Sequence, residues 1–478
     1  MSFSHTLLHQ YRLLPRCTQG QMCLSIIRTG SVGRPDERDE LSEETQQTST
    51  GRTMRSDSPR SEFTARYLVE TGDSVARAAE IIAGEQSSGT FLALPGETDE
   101  LKKRSRARVI TVTELPPVDS PTLRSSFFEK NDRPKAFHRG EIEIAFPIDN
   151  VGFNIPTLLA TIAGNLFELG ETTGLRLLDI EMPVSYAAGF PGPKFGVDGT
   201  RRLAGVIDRP LIGTILKPSI GMSPSETAVL VDKICEAGID FLKDDELIAD
   251  PPYAPFEERL KAVFPVIEKH ADRLGRKPMY AINISGSVDD MRRRHDLVLE
   301  AGGTCVMVSV NWCGFSAIEH LRTYTDLPIH GHRNGWGLFT RHPWLGFDFA
   351  AFQKLWRLTG VDHLHVNGLR SKFWEPDDSV VASARSCLAA FSGVKSMMPV
   401  FSSGQWAGQA GDTFARLGSI DLMHLAGGGI MGHPGGIADG VMSLREAWEA
   451  AVQGVPVTEY AKSHRPLQLA ISKFGGAS

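Results

Sequence analysis

Eight short apolar runs follow one another from residue 211 onward, separated by amphipathic stretches. The runs do not alternate apolar with polar residues, as is typical of parallel strands that are buried on both faces. In chain order they are LIGTILKP (211–218), IDFLKDDE (239–246), PMYAINIS (278–285), TCVMVSVN (304–311), LPIHGHRN (327–334), VDHLHVNG (361–368), MMPVFSSG (397–404) and DLMHLAGGG (421–429). Eight strand–helix units in about 240 residues predict an α/β fold with a closed C-terminal (β/α)8 TIM barrel.

The region before the barrel predicts a second, smaller domain. Strand-like runs alternate there with two helical stretches, which favours a ferredoxin-like α+β domain with helices on one face of a sheet. The predicted strands are FTARYLVE (63–70), GTFLAL (89–94), RARVITVTEL (106–115), EIEIAFPI (141–148) and LRLLDIEMP (175–183). We therefore expect an α+β domain over 63–190 and the barrel over 191–478.

Residues 1–62 differ from the rest of the chain, because they are polar and short of large apolar groups. This composition predicts a disordered extension. Its start has no acidic residue before Asp36, which resembles a transit peptide, but initiation at Met54 would explain the same pattern. Both interpretations remain open, and we assign the extension no function.

Composition excludes several classes of function. A formal net charge of -6 provides no broad basic surface for nucleic acid. No apolar stretch reaches the ~18–20 residues that a membrane-spanning helix needs. The six cysteines form no CxxC pair, which suits a reducing compartment. We expect a cytoplasmic protein that acts on a small molecule.

Polar residues gather where the predicted barrel strands end. In a barrel of this kind, the carboxyl ends of the strands and the loops after them build the active site. The residues at these ends are Lys217, Lys243, Asp245, Glu246, Asn283, His330, His332, Arg333, His365, Asn367, Ser403, Gly404, Gly427, Gly428 and Gly429. A single polar residue of this kind is usually a solvated or satisfied group, but their convergence on one rim predicts an active site.

The segment Lys243-Asp244-Asp245-Glu246 predicts a metal site. Strand alternation places Lys243 and Asp245 on one side, and Glu246 can join them where the strand gives way to a loop. Two carboxylates suit Mg²⁺, which keeps its other positions for water and substrate oxygens. Lys243 is then either a salt-bridge partner or, after carbamylation by CO2, a third carboxylate.

Two anion sites are expected across the barrel mouth. The glycine run 427–429 exposes backbone N–H groups after the last strand, a frequent position for phosphate in barrels. Arg333, His365 and Ser403 could bind a second anionic group. The sequence thus favours an extended, anionic substrate.

Six motifs resemble the ribulose-bisphosphate carboxylase superfamily, and more closely its form IV RuBisCO-like proteins. They are GTILKPSIGMS (213–223), GIDFLKDDE (238–246), HGHRNGWG (330–337), DHLHVNGLRSKFW (362–374), SSGQ (402–405) and GGGIMGHPGG (427–436). The resemblance runs from about Phe63 to the C-terminus. It implies one Mg²⁺ per site, with N6-carboxylysine at Lys243 and with Asp245 and Glu246 as the other ligands.

The same resemblance implies roles for further residues. Lys217 is similar to the base that removes a proton beside the substrate carbonyl, His332 to a residue on substrate oxygens, and Lys372 to the lysine of a mobile loop. Phosphate or substrate binding is implied for Arg333, His365, Ser403, Gly404, Gly427 and Gly428. Glu85, Thr90 and Asn165 resemble residues that complete the partner subunit's site, which implies a homodimer with shared sites.

Three departures from the carboxylase pattern argue against CO2 fixation. Ser219 stands where carboxylases carry a second lysine, and Gln405 replaces the second of two glycines, where we expect its amide to obstruct a phosphate end. The HGHRNGWG segment also differs from the carboxylase sequence. An authentic carboxylase is therefore disfavoured.

Enediolate chemistry on a phosphorylated keto-sugar acid is the favoured function. The HGHRNGWG group resembles enzymes that decarboxylate or hydrolytically cleave 3-oxo-isoapionate 4-phosphate. The alternatives are a 2,3-diketo-5-methylthiopentyl-1-phosphate enolase or a 5-methylthioribulose-1-phosphate isomerase of methionine salvage. A non-catalytic binding protein is disfavoured, because Lys217, Lys243, Asp245 and Glu246 are all present.

Overall fold

Two β-sheets organise the structure, a computed structural model that describes residues 61–89, 94–131 and 134–476. The strands of this part of the chain are β1 (Glu62–Thr71), β2 (Arg108–Val118), β3 (Phe137–Pro147), β4 (Thr172–Glu181), β5 (Leu211–Ile215), β6 (Phe241–Lys243), β7 (Met279–Asn283), β8 (Cys305–Ser309), β9 (Ile329–His332), β10 (Leu345–Phe347), β11 (His363–His365), β12 (Met398–Phe401) and β13 (Met423–Leu425). Eight of them close into a parallel barrel, in the order β5-β6-β7-β8-β9-β11-β12-β13. Each predicted apolar run contains one barrel strand, so the predicted TIM barrel is confirmed.

Helices connect the barrel strands and cover the sheets. They are α1 (Val75–Glu85), α2 (Asp99–Ser105), α3 (Ser126–Lys130), α4 (Ile155–Ala163), α5 (Val184–Ala187), α6 (Gly196–Ala204), α7 (Pro224–Glu236), α8 (Phe256–Leu274), α9 (Val288–Glu300), α10 (Val310–Cys313), α11 (Phe315–Tyr324), α12 (Gly337–Thr340), α13 (Phe349–Leu358), α14 (Asp377–Leu388), α15 (Ala410–Leu417), α16 (Gly428–Met431), α17 (Gly436–Val452), α18 (Val457–Tyr460) and α19 (Arg465–Phe474). Helix α7 begins with a complete capping box between Ser223 and Glu226, which satisfies backbone N–H groups that would otherwise lack partners. None of the described helices is both long and apolar enough to cross a membrane.

The second sheet forms the core of the predicted α+β region. Its order is β10-β4-β1-β3-β2, and β1 pairs antiparallel with both β3 and β4. The N-terminal α+β domain predicted from the sequence is confirmed, and its sheet is mixed. The predicted strand over 89–94 lies mostly outside the described residues, as does the predicted disordered extension over 1–62, except for its last two residues.

Strand β10 is a feature that the sequence analysis missed. It comes from the barrel half of the chain and extends the first sheet in parallel with β4. Arg176 of β4 holds it there by donating to the carbonyl oxygens of Thr340, His342 and Leu345. The strand therefore depends on a tertiary contact, and its three residues carry no periodic signal.

A buried carboxylate ties the amino-terminal side of the barrel together. Asp362 lies directly before β11 and accepts hydrogen bonds from the backbone N–H groups of Phe195 (2.6 Å), Gly196 (2.9 Å) and Ile329 (2.9 Å). Arg322 Nη1 donates to the same carboxylate at 2.9 Å. Removing this side chain would leave four donors, one of them charged, without their acceptor.

We therefore expect Asp362→Ala to destabilise the protein strongly. Breaking a buried ion pair by removing one partner costs about 3–5 kcal/mol. Asp326→Ala is the matched control, because Asp326 is 75% exposed and, among the described residues, pairs only with Lys194 on the surface, where a pair is worth roughly 0–1 kcal/mol. Urea unfolding measures both. Equal free energies of unfolding for the two variants would contradict this account.

Candidate active site

A cavity of about 580 Å³ opens at the carboxyl ends of the barrel strands. Most of the barrel residues that the sequence placed at the active-site rim line it, whereas Asn283, His330 and Gly429 do not. The predicted residues that line the cavity are Lys217, Lys243, Asp245, Glu246, His332, Arg333, His365, Asn367, Lys372, Ser403, Gly404, Gly427 and Gly428. Barrel closure brings them together from segments that are far apart in the sequence.

Two lysines and two carboxylates meet at the exits of β5 and β6. Lys217 Nζ donates to Asp245 Oδ2 at 2.5 Å and to Ser219 Oγ at 2.6 Å. Lys243 Nζ lies 3.8 Å from Glu246 Oε2 and donates to the Asp244 carbonyl at 2.6 Å. Lys243 is almost fully buried, whereas Lys217 is partly open to the cavity.

Burial and charge shift the pKa values of this cluster in opposite directions. Burial lowers the pKa of Lys243, and this effect outweighs the raising influence of the three neighbouring carboxylates. Burial alone would raise the pKa of Asp245, but the hydrogen bond and charge of Lys217 bring it below its ordinary value. The cluster therefore favours an ionised Asp245 and eases loss of the Lys243 proton.

Asp244 faces away from the cavity, as strand alternation requires. Its carboxylate accepts from Tyr280 Oη, from Arg259 Nη2 at 3.1 Å and from the backbone N–H of Asn283 at 2.9 Å. All these groups are buried. Asp244 thus anchors the exit of β6 and holds its two neighbours, Lys243 and Asp245, toward the cavity. The sequence analysis did not assign this role, although the alternation of the strand indicates it.

Whether a divalent metal fits can be judged from the donor groups. Among the described residues, no three histidine, cysteine, aspartate or glutamate side chains are gathered in a metal-binding arrangement. Asp245 and Glu246 supply two hard oxygen ligands, and the Lys243 amine points to the same space. A carboxylated Lys243 would complete a set of three oxygen donors, so the residues fit a magnesium ion only in that form.

Histidines line the floor of the cavity. His332 Nε2 lies 3.4 Å from Glu246 Oε2. His365 contacts His330 through its Nε2 atom at 2.8 Å and Ser402 Oγ through its Nδ1 atom at 2.9 Å. Ser402 also lines the cavity, although the sequence analysis selected only the neighbouring Ser403.

Arg333 and its surroundings form what we call the arginine end. Arg333 Nη2 is bound to Glu375 Oε2 in a buried ion pair, and Asn367 Nδ2 donates to the same oxygen at 2.6 Å. Ser379 Oγ donates to the other carboxylate oxygen, Oε1, at 2.8 Å. Glu375 was not predicted as a site residue. Its carboxylate balances the positive charge that the sequence analysis had assigned to an anionic substrate group.

A second part of the mouth, which we call the glycine end, is made by Gly404, Gly427 and Gly428. A side chain added at Gly427 would meet nothing closer than 3.7 Å, and one at Gly428 nothing within 4 Å, so their backbone faces open space. Gly404 has a φ of +83° and lies beside Lys372. Lys372 makes no ion pair within the described part of the chain.

Gln405 does not obstruct the glycine end, contrary to our expectation. Its side chain is buried and donates to the Leu369 carbonyl at 3.1 Å, so it packs beneath the loop that carries Lys372. It is not among the residues that line the cavity. The chain turns after Gly404 at the exit of β12, and this turn directs the side chain of Gln405 away from the mouth.

Of the three smaller-domain residues that the sequence implicated in binding, the two that the structure describes do not join the cavity of their own chain. Glu85 and Asn165 are exposed and do not line it. Thr90, the third, lies outside the described residues.

The sequence analysis also missed an aromatic wall of the cavity, formed by Trp336, Phe373 and Trp374.

Comparisons with known proteins agree with this arrangement. The family model described as the ribulose bisphosphate carboxylase large chain, catalytic domain, matches residues 196–474. The model of the N-terminal domain of the same large chain matches residues 57–186. Together they cover most of the chain.

Two relatives have names that state a substrate. A 3-oxo-isoapionate-4-phosphate transcarboxylase/hydrolase from Xanthobacter autotrophicus is 53% identical over 409 residues, which is 85% of this chain and 98% of the relative. A 3-oxo-isoapionate-4-phosphate decarboxylase from Rhizobium etli is 44% identical over 415 residues, 86% of this chain and 98% of the relative.

Solved structures show the same fold. A rubisco-like protein from Burkholderia fungorum is 47% identical with a TM-score of 0.82, and the match covers 86% of this chain and 99% of that one. A dimeric archaeal Rubisco from Hyperthermus butylicus is 31% identical with a TM-score of 0.76, covering 87% and 96%.

We expect acid to destabilise the protein through the histidines below the cavity. Burial lowers the pKa of His332 to about 4 and that of His363, which contacts Thr200 Oγ1 at 2.8 Å, to about 3. Histidine in an unfolded chain titrates near ~6.5. The unfolded state therefore binds more protons at low pH, and the free energy of unfolding should fall as the pH decreases from about 6.5 toward 4.

Urea unfolding at several pH values measures this loss, and His363→Gln removes one contribution to it. The variant should lose about 1.4 kcal/mol less per pH unit than the wild type over this range. His320→Gln, at an exposed histidine, is the control and should follow the wild type. Parallel pH profiles of His363→Gln and the wild type would contradict the argument.

Proposed function

The chain belongs to the ribulose bisphosphate carboxylase large-chain family, and from that premise we propose that it cleaves a carbon–carbon bond of 3-oxo-isoapionate 4-phosphate. The observation that carries this proposal is the 53% identity to a transcarboxylase/hydrolase of that substrate over 98% of the relative. The cavity supports it, because Lys217, Lys243, Asp245 and Glu246 meet there.

Lys243, Asp245 and Glu246 would hold a magnesium ion once CO2 has modified the lysine. Burial of Lys243 supports the modification, because a lowered pKa increases the fraction of neutral amine that can attack CO2. A bound magnesium ion would polarise the keto group of the substrate and the oxygen beside it. Asp244 keeps the ligand pair aimed into the cavity through Arg259 and Tyr280.

Lys217 would move a proton at the carbon beside the keto group. The substrate is a β-keto acid, so its carboxyl carbon can leave as CO2, or pass to an acceptor in a transcarboxylase reaction. The electron pair of the broken bond stays behind and delocalises onto the keto oxygen as an enediolate. Lys217 Nζ is accessible from the cavity and hydrogen-bonded to Asp245 and Ser219. It can return a proton to the enediolate carbon, while Lys372 at the mouth balances the negative charge.

The single phosphate of the substrate would bind at the glycine end. Open backbone at Gly427 and Gly428 offers N–H donors without steric hindrance. Lys372, which lies beside Gly404, adds a positive charge. His332, His365 and Ser403 would then contact the hydroxyl and keto oxygens in the middle of the cavity.

Two reactions on this substrate are compatible with the same site. We propose the transcarboxylase/hydrolase reaction first, because identity is 53% to an enzyme of that name against 44% to a decarboxylase. Release of CO2 without water addition would identify the decarboxylase instead.

A methionine-salvage enolase or isomerase is the second candidate, since the aromatic wall of Trp336, Phe373 and Trp374 could accommodate a methylthio group.

We further propose that the protein works as a cytoplasmic homodimer. Glu85 and Asn165 are exposed and do not line the cavity of their own chain. This position supports a role for them, together with Thr90, in completing the site of a partner subunit. One solved relative is described as dimeric. The cysteines of the described region, Cys235, Cys305, Cys313 and Cys387, are unpaired, in keeping with a reducing compartment.

The first test is turnover. Purified protein with Mg²⁺ and bicarbonate should consume 3-oxo-isoapionate 4-phosphate, and Lys217→Met should lower kcat by about 10²–10⁴-fold, the usual contribution of a general base. Lys462→Met, at an exposed surface lysine, is the control and should keep wild-type activity. Products are followed by NMR. Turnover of the diketo-methylthiopentyl phosphate, with none of the isoapionate compound, would overturn the proposal in favour of methionine salvage.

The second test concerns the metal site and does not depend on activity. Mg²⁺ and bicarbonate together should raise the melting temperature more than either alone, because a ligand at 100 times its Kd stabilises by about 2.7 kcal/mol. Asp245→Asn and Glu246→Gln should abolish the increase. Glu257→Gln, an exposed carboxylate on α8, should retain it. An unchanged increase in the first two variants would place the metal elsewhere.

A further inference from the structure

The arginine end of the cavity contains a carboxylate that the reaction proposed above does not use. Glu375 accepts hydrogen bonds through both of its oxygens, from Arg333 and Asn367 on one and from Ser379 on the other. Its side chain is almost completely buried, and yet the residue lines the cavity. A carboxylate with this many donors is held in one orientation.

Glu375 also restricts what Arg333 can bind. The guanidinium group is fixed by its stacking on Phe349, at 4.1 Å from the ring centre, and by its ion pair with Glu375. Only Nη1 is buried without a hydrogen-bond partner. Phosphate is usually bound by two parallel N–H groups of one arginine. With Nη2 bonded to Glu375, the pair of terminal nitrogens that would grip a phosphate together is no longer free, and Nη1 is left to donate to a ligand.

The charges of the arginine end cancel. A phosphate placed there would meet one guanidinium group and one carboxylate at close range, in a site from which much of the water is excluded. The neighbouring His365 is neutral, because burial lowers its pKa well below the ordinary value. A hydroxyl group can accept a hydrogen bond from Nη1 and needs no net positive charge, so the arginine end suits a hydroxyl group.

We propose that Glu375 determines the substrate class of this cavity. By occupying Arg333, it turns the arginine end into a hydroxyl-binding end that gives a second phosphate no added affinity, so that a compound with a single phosphate binds about as well as its bisphosphate. The phosphate then lies at the glycine end with Lys372. This inference rests on the proposed function for the identity of the natural substrate, but not for the preference itself.

Direct binding tests the preference without any turnover. Ribitol 5-phosphate and ribitol 1,5-bisphosphate share one carbon chain, lack a carbonyl group and differ by one phosphate. Isothermal titration with the wild-type protein, in Mg²⁺ and bicarbonate, should give Kd values for the two compounds within about threefold of each other. A bisphosphate bound tenfold or more tightly by the wild type would overturn the proposal, whatever any variant does.

Glu375→Gln is the decisive variant, since it keeps the shape of the side chain and removes its charge. It should bind the bisphosphate about tenfold or more tightly than the monophosphate, because Arg333 is released for the second phosphate. Asp378→Asn is the matched control, at an exposed carboxylate three residues further on that pairs with Arg416, and should keep the wild-type ratio. A folded Glu375→Gln protein with the wild-type ratio would contradict the proposal.

A third variant separates this inference from the proposed function. The double variant Arg333→Gln/Glu375→Gln removes both charges of the pair and should keep the wild-type ratio of the two affinities, and selective loss of bisphosphate binding would show that the arginine end does bind phosphate. If the binding ratios are as expected but 3-oxo-isoapionate 4-phosphate is not consumed, the proposed function fails and the role of Glu375 stands. If the substrate is consumed but the wild type prefers the bisphosphate, the reverse holds.

Discussion

Closure of the eight-stranded barrel is the constraint on which the rest of the structure depends. Closure buries the strand residues on both faces, so charged groups are tolerated in the strands only where they find partners, as Asp362 does at the amino-terminal side. It also brings the carboxyl ends of all eight strands to one mouth. Residues as distant in sequence as Lys217 and Gly427 therefore share one cavity.

The short strand β6 shows how a local pattern becomes a site. Alternation sends Lys243 and Asp245 toward the mouth and Asp244 into the packing behind it, where Arg259 and Tyr280 hold it. The middle acid therefore fixes the backbone from which its neighbours act. A cluster of three adjacent acids would be a poor metal site without this division, because mutual repulsion would spread flexible carboxylates apart.

Features with a regular pattern could be predicted, and those that depend on one distant contact could not. Burial on both faces leaves continuous apolar runs, and these located every barrel strand. Strand β10 has no such pattern, because hydrogen bonds from Arg176 hold it in place. Glu375 was not predicted as a site residue, because its partner Arg333 lies 42 residues earlier in the chain. The sequence analysis selected Ser403 but not the adjacent Ser402, because side-chain alternation no longer holds at the end of β12, where the strand gives way to a turn.

The cations of the cavity differ in whether their charge can change. Lys217 and Lys243 lie beside Asp245 and Glu246, and Arg333 is paired with Glu375. An amine can lose its proton and react with CO2, and in the proposed carbamylated state Lys243 would carry a negative charge in place of a positive one, which favours a divalent cation between the acids. A guanidinium group keeps its charge under all ordinary conditions, so the pair at the arginine end stays neutral as a unit. The part of the mouth around Lys217 and Lys243, where protonation or carbamylation can change the charge, is thus suited to metal-assisted chemistry. The part around Arg333 and Glu375, where the charges are fixed, is suited to selecting the substrate.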